Sequence, residues 1–344
     1  MDWFCPQDQQ KLTRIGDTLQ CPHCDYRGIC EDEVIDFVGR PSLPPEVPPD
    51  NPMAVDLYEM MRTQDFAIAC GVFCKKYGSA NDQLSSDWRF LLPTNAHSTI
   101  LEIGTGCGFD TVALAANTKN VIGLAPNAIT GKITRTHADL ENVGNIAIAA
   151  IHDLTALPLA SNSVDIICAE DVGLAGFGVD RHNFHSVIDE FRRVLSDNGT
   201  VFLGVTNAFG ELQPLLHLAM KMRVRPHTMS MNRLIKKSPQ ACRIVGMGRC
   251  GVTRCMRRAA FGRPIVYCPF PDEENTSAVL SAQNRLAFQY FFRHVQRRRS
   301  LKARVALSVA GCLASLNLSR RFLPYDYMLF RKQGCRDVCN GNAK

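Results

Sequence analysis

The sequence predicts an α/β fold with a mostly parallel sheet covered by helices on both faces. Three observations predict it. From about residue 98, short apolar runs of strand length alternate with helical stretches. A glycine-rich turn, Gly104-Thr105-Gly106-Cys107-Gly108, falls between the first such strand and the first helix. With 46% hydrophobic and 21% charged residues, the 344-residue chain can bury a substantial core.

Residues 1–38 are short, polar and cysteine-containing, with no helical period. Residues 39–52 hold a run of prolines and read as a stiff, extended linker. Residues 53–92 read as helical: apolar residues recur at three and four spacing from Met53 to Tyr77, and Gly78 supplies a stop. Strands follow at Thr99–Ile103, Asn120–Leu124, Ile146–Ile151, Val164–Ala169 and Thr200–Thr206. Helices are expected at Asp110–Asn117 and His185–Leu195, the latter stopped by Ser196-Asp197-Asn198-Gly199. Beyond Asn207, Glu211–Arg223 suggests a helix, Gly251–Arg258 a sixth strand and Tyr325–Arg331 a last strand. A basic, largely helical insertion is expected over about residues 270–322.

The glycine turn is the most informative segment. Glycine permits left-handed backbone and removes the Cβ atoms that would keep a ligand from the main chain, and the helix after it presents unpaired N–H groups. A dinucleotide loop has the spacing Gly-x-Gly-x-x-Gly. Here the pattern is Glu102-x-Gly104-x-Gly106-x-Gly108. This resembles motif I of class I S-adenosylmethionine-dependent methyltransferases, of the kind called methyltransferase type 11-like. The resemblance covers about residues 98–208. It implies a Rossmann-like, seven-stranded, mostly parallel sheet, with Glu102, Gly104, Thr105, Gly106 and Gly108 around the methionine part of the cofactor.

Later segments resemble the family's landmarks in order. The second strand ends Gly123-Leu124-Ala125-Pro126-Asn127, where the family has an acid for the ribose hydroxyls. Ala125 stands in its place, with Asn127 the nearby substitute. His152-Asp153-Leu154 occupies the adenine position, so the resemblance assigns Asp153 and Leu154 there. Asn162-Ser163-Val164-Asp165-Ile166-Ile167 and Phe191-Arg192-Arg193-Val194-Leu195 resemble the fourth strand and the helix before the fifth. The acceptor side of the family lies just after strand four. Glu170, which also adjoins the cofactor position, Asp171 and His182 are therefore the candidates for acceptor chemistry. His185, Tyr58 and Asn207 are weaker ones.

The head carries Cys5-Pro6-Gln7-Asp8 and Cys21-Pro22-His23-Cys24. It resembles the small zinc ribbon that precedes some class I methyltransferase domains, including certain ribosomal RNA guanine methyltransferases. There both knuckles are Cys-x-x-Cys. Zinc accepts carboxylate oxygen as well as sulfur, so Cys5, Asp8, Cys21 and Cys24 form a candidate structural zinc site. Cys30 or His23 are alternative fourth ligands. The other cysteines, such as Cys70, Cys74, Cys168 and Cys312, are scattered singly through apolar segments, as expected of reduced thiols.

The organisation expected is a zinc-ribbon-like head at 1–38, a linker at 39–52 and a methyltransferase domain at 53–344. That domain comprises a cofactor half, 53–210, and a basic acceptor half with the helical insertion, 211–344. The halves differ sharply in charge. Residues 1–210 hold 14 Lys+Arg against 27 Asp+Glu, and residues 211–344 hold 25 against 6, a split of −13 and +19. Arg293, Arg297, Arg298, Arg299, Lys302 and Arg304 crowd one stretch among Phe288, Tyr290, Phe291 and Phe292. Such a half suits an anionic partner. The expected acceptor is a small molecule, a glycan or a lipid-linked compound, with peripheral contact to an acidic membrane surface. RNA is the second choice. A catalytically inactive binding or scaffold protein is the third, motivated by Ala125. The expected location is the cytoplasm or the inner face of the membrane.

Overall fold

The computed structural model describes residues 2–37, 51–78, 87–206, 231, 248–270, 278–284, 286–287, 289–291 and 325–333. The expected helix at Glu211–Arg223, Asn207, Cys312 and the basic stretch from Arg293 to Arg304 lie outside these residues, as does most of the proline-rich segment.

The head is an antiparallel meander of β1 (Thr13–Ile15), β2 (Thr18–Gln20), β3 (Arg27–Glu31) and β4 (Val34–Asp36). A two-residue turn joins β3 to β4, with Asp32 and Glu33 both left-handed (φ 51° and 58°). That conformation matches the twist of a tight hairpin.

Two helices follow where one was expected. α1 spans Pro52–Thr63 and α2 spans Phe66–Tyr77. Asn51 caps α1, its Oδ1 accepting from Met53 N–H at 3.0 Å, with Pro52 in the first turn. The break falls at Asp65, whose carboxylate accepts from Ala67 N–H at 2.9 Å and starts a new helix. Gly78, at φ 63°, closes α2 as its position in the sequence suggested.

A 3-10 turn at Asp87–Leu91 leads into the alternating segment. Its elements are β5 (Thr99–Ile103), α3 (Phe109–Ala115), β6 (Asn120–Ala125), α4 (Ala128–Leu140), β7 (Ile146–Ala150), β8 (Val164–Glu170), α5 (Asp171–Gly176), α6 (Phe184–Val194) and β9 (Leu195–Thr206). Then come α7 (Gly248–Arg258), β10 (Ile265–Phe270), β11 (Ala278–Ser281) and β12 (Tyr325–Arg331). Gly251–Arg258, read from its sequence as a strand, is helical instead. Val252 and Met256, four residues apart, are its buried positions, and the arginines between and after them stay outside. Burial at a spacing of four selects a helix over a strand whatever the β-branched content.

One sheet joins all twelve strands of the described residues in the order β1-β2-β3-β4-β7-β6-β5-β8-β9-β12-β10-β11. Its centre, β7-β6-β5-β8-β9, is parallel. β12 runs antiparallel between β9 and β10. The Rossmann-like arrangement is present at the centre, but the sheet is wider than the seven strands expected, and it is parallel only from β4 to β9. The head extends one edge, because β4 pairs in parallel with β7 (Val34 opposite Ile148), and β11 extends the other. β9 is longer than expected: Leu195 already pairs with Val164, and the register shifts before Ile166 meets Thr200.

Both faces of the sheet are buried. On one, Leu101, Ile103, Ile122, Leu124 and Ile167 pack with Phe191 of α6 and Met256 of α7. On the other, Ile100, Val121, Ile166 and Tyr327 pack with Leu114, Ala138 and Trp88, whose indole stacks on Phe202 at 4.6 Å. No helix among the described residues is long and apolar enough to cross a membrane.

Candidate active site and metal centre

Chain order reverses between β5 and β8: from β5 the chain steps to β6 on one side, and later to β8 on the other. A crevice at the carboxyl ends of these strands is where open α/β sheets bind ligands. The glycine loop lies there. Gly104, Gly106 and Gly108 take φ of 81°, 60° and 82°, so each needs the left-handed region that other residues resist. The N–H groups of Gly104 and Thr105 both reach Leu124 carbonyl, at 2.8 and 3.3 Å, tying the loop to the end of β6. Glu102, buried on β5, accepts a 2.6 Å hydrogen bond from Thr111 Oγ1 on α3.

The opposite wall is α5, reached directly from β8. A Cβ on Gly104 would lie 2.5 Å from Gly173 Cα, and one on Gly173 would lie 2.5 Å from Ile103 carbonyl oxygen. Loop and helix therefore meet backbone to backbone. Gly173 was not singled out from the sequence; the only signal was a glycine in the first turn of the segment after strand four.

α4 holds the loop from behind. Thr134 Oγ1 reaches Thr105 Oγ1 at 2.9 Å and Gly106 carbonyl at 3.2 Å. His137 lies with Nδ1 2.9 Å from Cys107 carbonyl. Because that partner only accepts, the proton is on Nδ1. Its ring stacks on Phe66 of α2 at 4.2 Å, and burial holds its pKa below the usual histidine value. These supports escaped the sequence reading, which placed no helix over 128–140.

The same helix carries the head on another side. Lys132 Nζ lies 2.9 Å from Glu31 and 3.1 Å from Asp32, and Arg135 lies 3.7 Å from Glu33. A Cβ on Gly131 would come within 2.8 Å of Val34 Cγ1. α4 thus touches the β3–β4 turn and the glycine loop at once.

The predicted acceptor-side residues separate. Asp171 begins α5 and is buried, with both oxygens engaged. Oδ1 accepts from Tyr325 Oη at 3.0 Å and Val172 N–H at 2.7 Å; Oδ2 accepts from Thr206 N–H at 3.2 Å and from Thr206 Oγ1. It binds α5 to β9 and β12. Glu170, the last residue of β8, is half-buried at the same end. His182 is exposed in the turn before α6, its N–H bonded to Asp180 Oδ1 at 2.7 Å. His185, in the first turn of α6, pairs with Asp189 at 3.5 Å.

At the end of β6, Ala125 is fully buried, and its carbonyl accepts from Ile151 N–H at 3.0 Å. Asn127 Oδ1 caps α4 through Thr130 N–H at 2.9 Å. Asp153 is exposed and folds back on Thr155 N–H and Oγ1, both at 2.7 Å; Leu154 is buried beside it. The loop, without Cβ atoms at Gly104, Gly106 and Gly108, leaves its main chain open to a ligand. β6 ends in Ala125 and so supplies no carboxylate where the resemblance leads one to expect the ribose.

In the head, the sulfurs of Cys5, Cys21 and Cys24 lie within 4.8 Å of one another. Cys5 and Cys24 are 3.6 Å apart, and Asp8 Oδ2 is 3.4 Å from Cys21 Sγ. His23 Nδ1 lies 3.3 Å from Asp8, and His23 N–H points to Cys21 Sγ at 3.4 Å. Burial pushes the Cys5 thiol up to about 12, against backbone N–H groups of Asp8 and Gln7 that favour the thiolate. A divalent cation would supply the charge that deprotonates such a thiol. Three sulfurs are thus placed to ligate a cation such as zinc, and Asp8, near Cys21 but outside the trio, would have to move to complete a tetrahedral set. All the described cysteines are free thiols.

Residues 100–199 match a family model described as a methyltransferase domain. Over these residues the chain is similar to methyltransferase domains, and its central strand order, β7-β6-β5-β8-β9-β12-β10, is the one expected of the class I fold. No curated protein matches the chain in sequence. Among solved structures, a methyltransferase from Thermotoga maritima, described as a possible histamine N-methyltransferase, aligns at 14% identity and TM-score 0.43, covering 80% of this chain and 100% of that one. A Methanosarcina mazei S-adenosylmethionine-dependent methyltransferase aligns at 12% identity and TM-score 0.43, covering 70% and 94%. The complex of the Haloferax volcanii Trm112 methyltransferase activator with a methyltransferase aligns at 12% identity and TM-score 0.42, covering 78% and 96%.

Proposed function

We propose that the methyltransferase domain acts on a small anionic acceptor, such as a phosphorylated glycan or a lipid-linked compound, and that the head holds one structural zinc ion. The observation that carries the methyl-transfer reading is the trio of left-handed glycines between β5 and α3, closed by Gly173 at the point where strand order reverses. The charge of the second half supports the anionic acceptor: 25 Lys+Arg against 6 Asp+Glu over residues 211–344.

When bound, S-adenosylmethionine supplies a methyl group carried on a sulfonium, open to in-line attack. The chain's task is then to align the acceptor, which provides much of the acceleration. In this reading Glu102, Gly104, Thr105, Gly106 and Gly108 hold the methionine end, and Asp153 and Leu154 border the adenine. Glu170 takes the acceptor's proton when the nucleophile is a hydroxyl. Asp171 is a positioning residue, its oxygens committed to Tyr325, Thr206 and Val172. His182, exposed on the turn before α6, borders the acceptor. Without a carboxylate at Ala125, the ribose end loses on the order of 1–3 kcal/mol relative to a site that has one.

The decisive test incubates the protein with methyl-labelled S-adenosylmethionine and separate glycolipid, small-molecule and RNA fractions. Label in a glycolipid or phosphorylated small-molecule fraction is expected. Label in RNA would overturn the acceptor class and favour an RNA methyltransferase, the second reading suggested by the head's cysteine cluster together with the basic half. Failure of both S-adenosylmethionine and S-adenosylhomocysteine to bind in calorimetry would overturn the activity itself and leave a binding or scaffold role. For the head, one equivalent of zinc per chain is expected by mass spectrometry, and none in a Cys5→Ser/Cys21→Ser variant.

A further inference from the structure

At the end of the sheet away from the glycine loop lies a cavity of about 650 Å³. It is formed where β5, β8 and β9 begin and where β12 ends. Its volume falls within the roughly 300–1,000 Å³ typical of small-molecule sites. Its wall is mixed: Leu91, Tyr267 and Leu329 supply apolar surface, His97 and Asn198 are among its polar groups, and two arginines, Arg263 and Arg331, also line it.

The arginines come from adjacent segments of sheet. Ile265 pairs with Leu329, and Gly262 N–H donates to Arg331 carbonyl at 2.9 Å, which sets Arg263 and Arg331 in neighbouring rows. Like charges in such rows repel. Neither arginine forms an ion pair with a described residue. The carboxylate in the lining, Asp165, has both oxygens engaged: one accepts from Thr99 N–H at 2.9 Å and the other from Ser196 Oγ at 3.2 Å. Nearby Asp197 faces Lys332 at 3.6 Å. The wall thus offers two guanidinium groups beside apolar surface. Guanidinium forks fit phosphate oxygens in pairs.

We propose that this cavity binds a small phosphorylated molecule with an apolar or aromatic body, the phosphate between Arg263 and Arg331 and the body along Tyr267 and Leu329. The site is distinct from the cofactor crevice. β5 runs from one to the other, and its five residues span about 13 Å from Thr99 to Ile103.

The test is calorimetric titration of the full chain at low salt with phenyl phosphate and with inorganic phosphate, each with and without saturating S-adenosylhomocysteine. Saturable binding of one phenyl phosphate per chain is expected, several-fold tighter than inorganic phosphate and unchanged by S-adenosylhomocysteine. An Arg263→Gln/Arg331→Gln variant should weaken it at least tenfold. Both side chains are exposed, so the variant should keep the parent's unfolding midpoint. Absence of saturable binding, equal binding by the variant, or displacement by S-adenosylhomocysteine would each overturn the proposal. These results are independent of whether methyl transfer is observed.

Discussion

Replacing Gly173 by alanine isolates the contact between α5 and the glycine loop. The new Cβ would stand 2.5 Å from Ile103 carbonyl oxygen and 3.5 Å from Gly104 Cα. Ordinary C···O contacts lie near 3.3 Å, so the overlap is about 0.8 Å. The obstacle is backbone on a central strand, which cannot rotate aside as a side chain would. Overpacking of this kind costs about 1–3 kcal/mol. Alanine recovers up to about 1 kcal/mol over glycine in a helix, less in the first turn of a six-residue helix. The net expectation is a loss of about 1–2 kcal/mol in urea unfolding, with weaker S-adenosylhomocysteine binding because the displaced atoms belong to the loop. Gly71→Ala is the control. It makes the same chemical change inside α2, where a Cβ meets nothing within 4 Å, and should stabilise by about 0.5–1 kcal/mol. If Gly173→Ala were as stable as the parent, with unchanged cofactor affinity, the close approach would have no energetic meaning and the reasoning would fail.

Three further outcomes follow from the same contacts. Burial raises the carboxyl of Asp326 to about 6, opposed by Arg249 at 3.6 Å and the Cys268 thiol at 3.5 Å. A raised acid binds its proton more tightly folded than unfolded, so its contribution is full below about pH 4 and is lost as pH rises through about 6, roughly 3 kcal/mol in all. Asp326→Asn should flatten stability over that window in urea midpoints measured from pH 4 to 7; an unchanged pH dependence would contradict the assignment. Tyr325→Phe removes a donor to Asp171 and should cost about 1.5–2 kcal/mol by thermal or urea unfolding. Gly131→Ala forces a Cβ to within 2.8 Å of Val34 Cγ1; the stiff valine cannot yield, so differential scanning calorimetry should show a lowered midpoint despite the better helix former.

Much of the central fold was legible because its signals are local. Alternating apolar segments fixed the positions of β5 to β8 within a residue or so, and Gly78 ended α2 where the sequence placed a stop. The glycine loop was legible for the same reason: three glycines at a spacing of two report a backbone requirement directly. Gly251–Arg258 was misread because Val252 and Thr253 suit strands, whereas the buried pair Val252 and Met256 had to be matched to α6 and β9 to reveal a helix. The Asp65 break was missed because a cap depends on one side chain turning back to Ala67. The contacts of Asp171 were hidden for a deeper reason. Its partner Tyr325 lies 154 residues away, and only the antiparallel insertion of β12 beside β9 brings them together. The meeting of Cys5, Cys21 and Cys24 joins the two knuckles that the resemblance to a zinc ribbon singled out, whereas Asp8 stands outside that trio, 3.4 Å from Cys21 Sγ.

The pairing of β4 with β7 also bears on self-association. β7 reads Ile146-Ala147-Ile148-Ala149-Ala150, apolar and uncharged throughout. Left as an outer strand, it would present open backbone groups on a flat hydrophobic ribbon, the surface on which strands of other molecules add. The meander moves the sheet's border outward to β1, three residues long and exposed along its length, with Arg14 at its centre. A short, charged border of that kind discourages further strand addition. The cysteine-bearing head therefore acts as a guard rail for the sheet, and a chain cut back to residue 51 would be expected to gain a sticky flank.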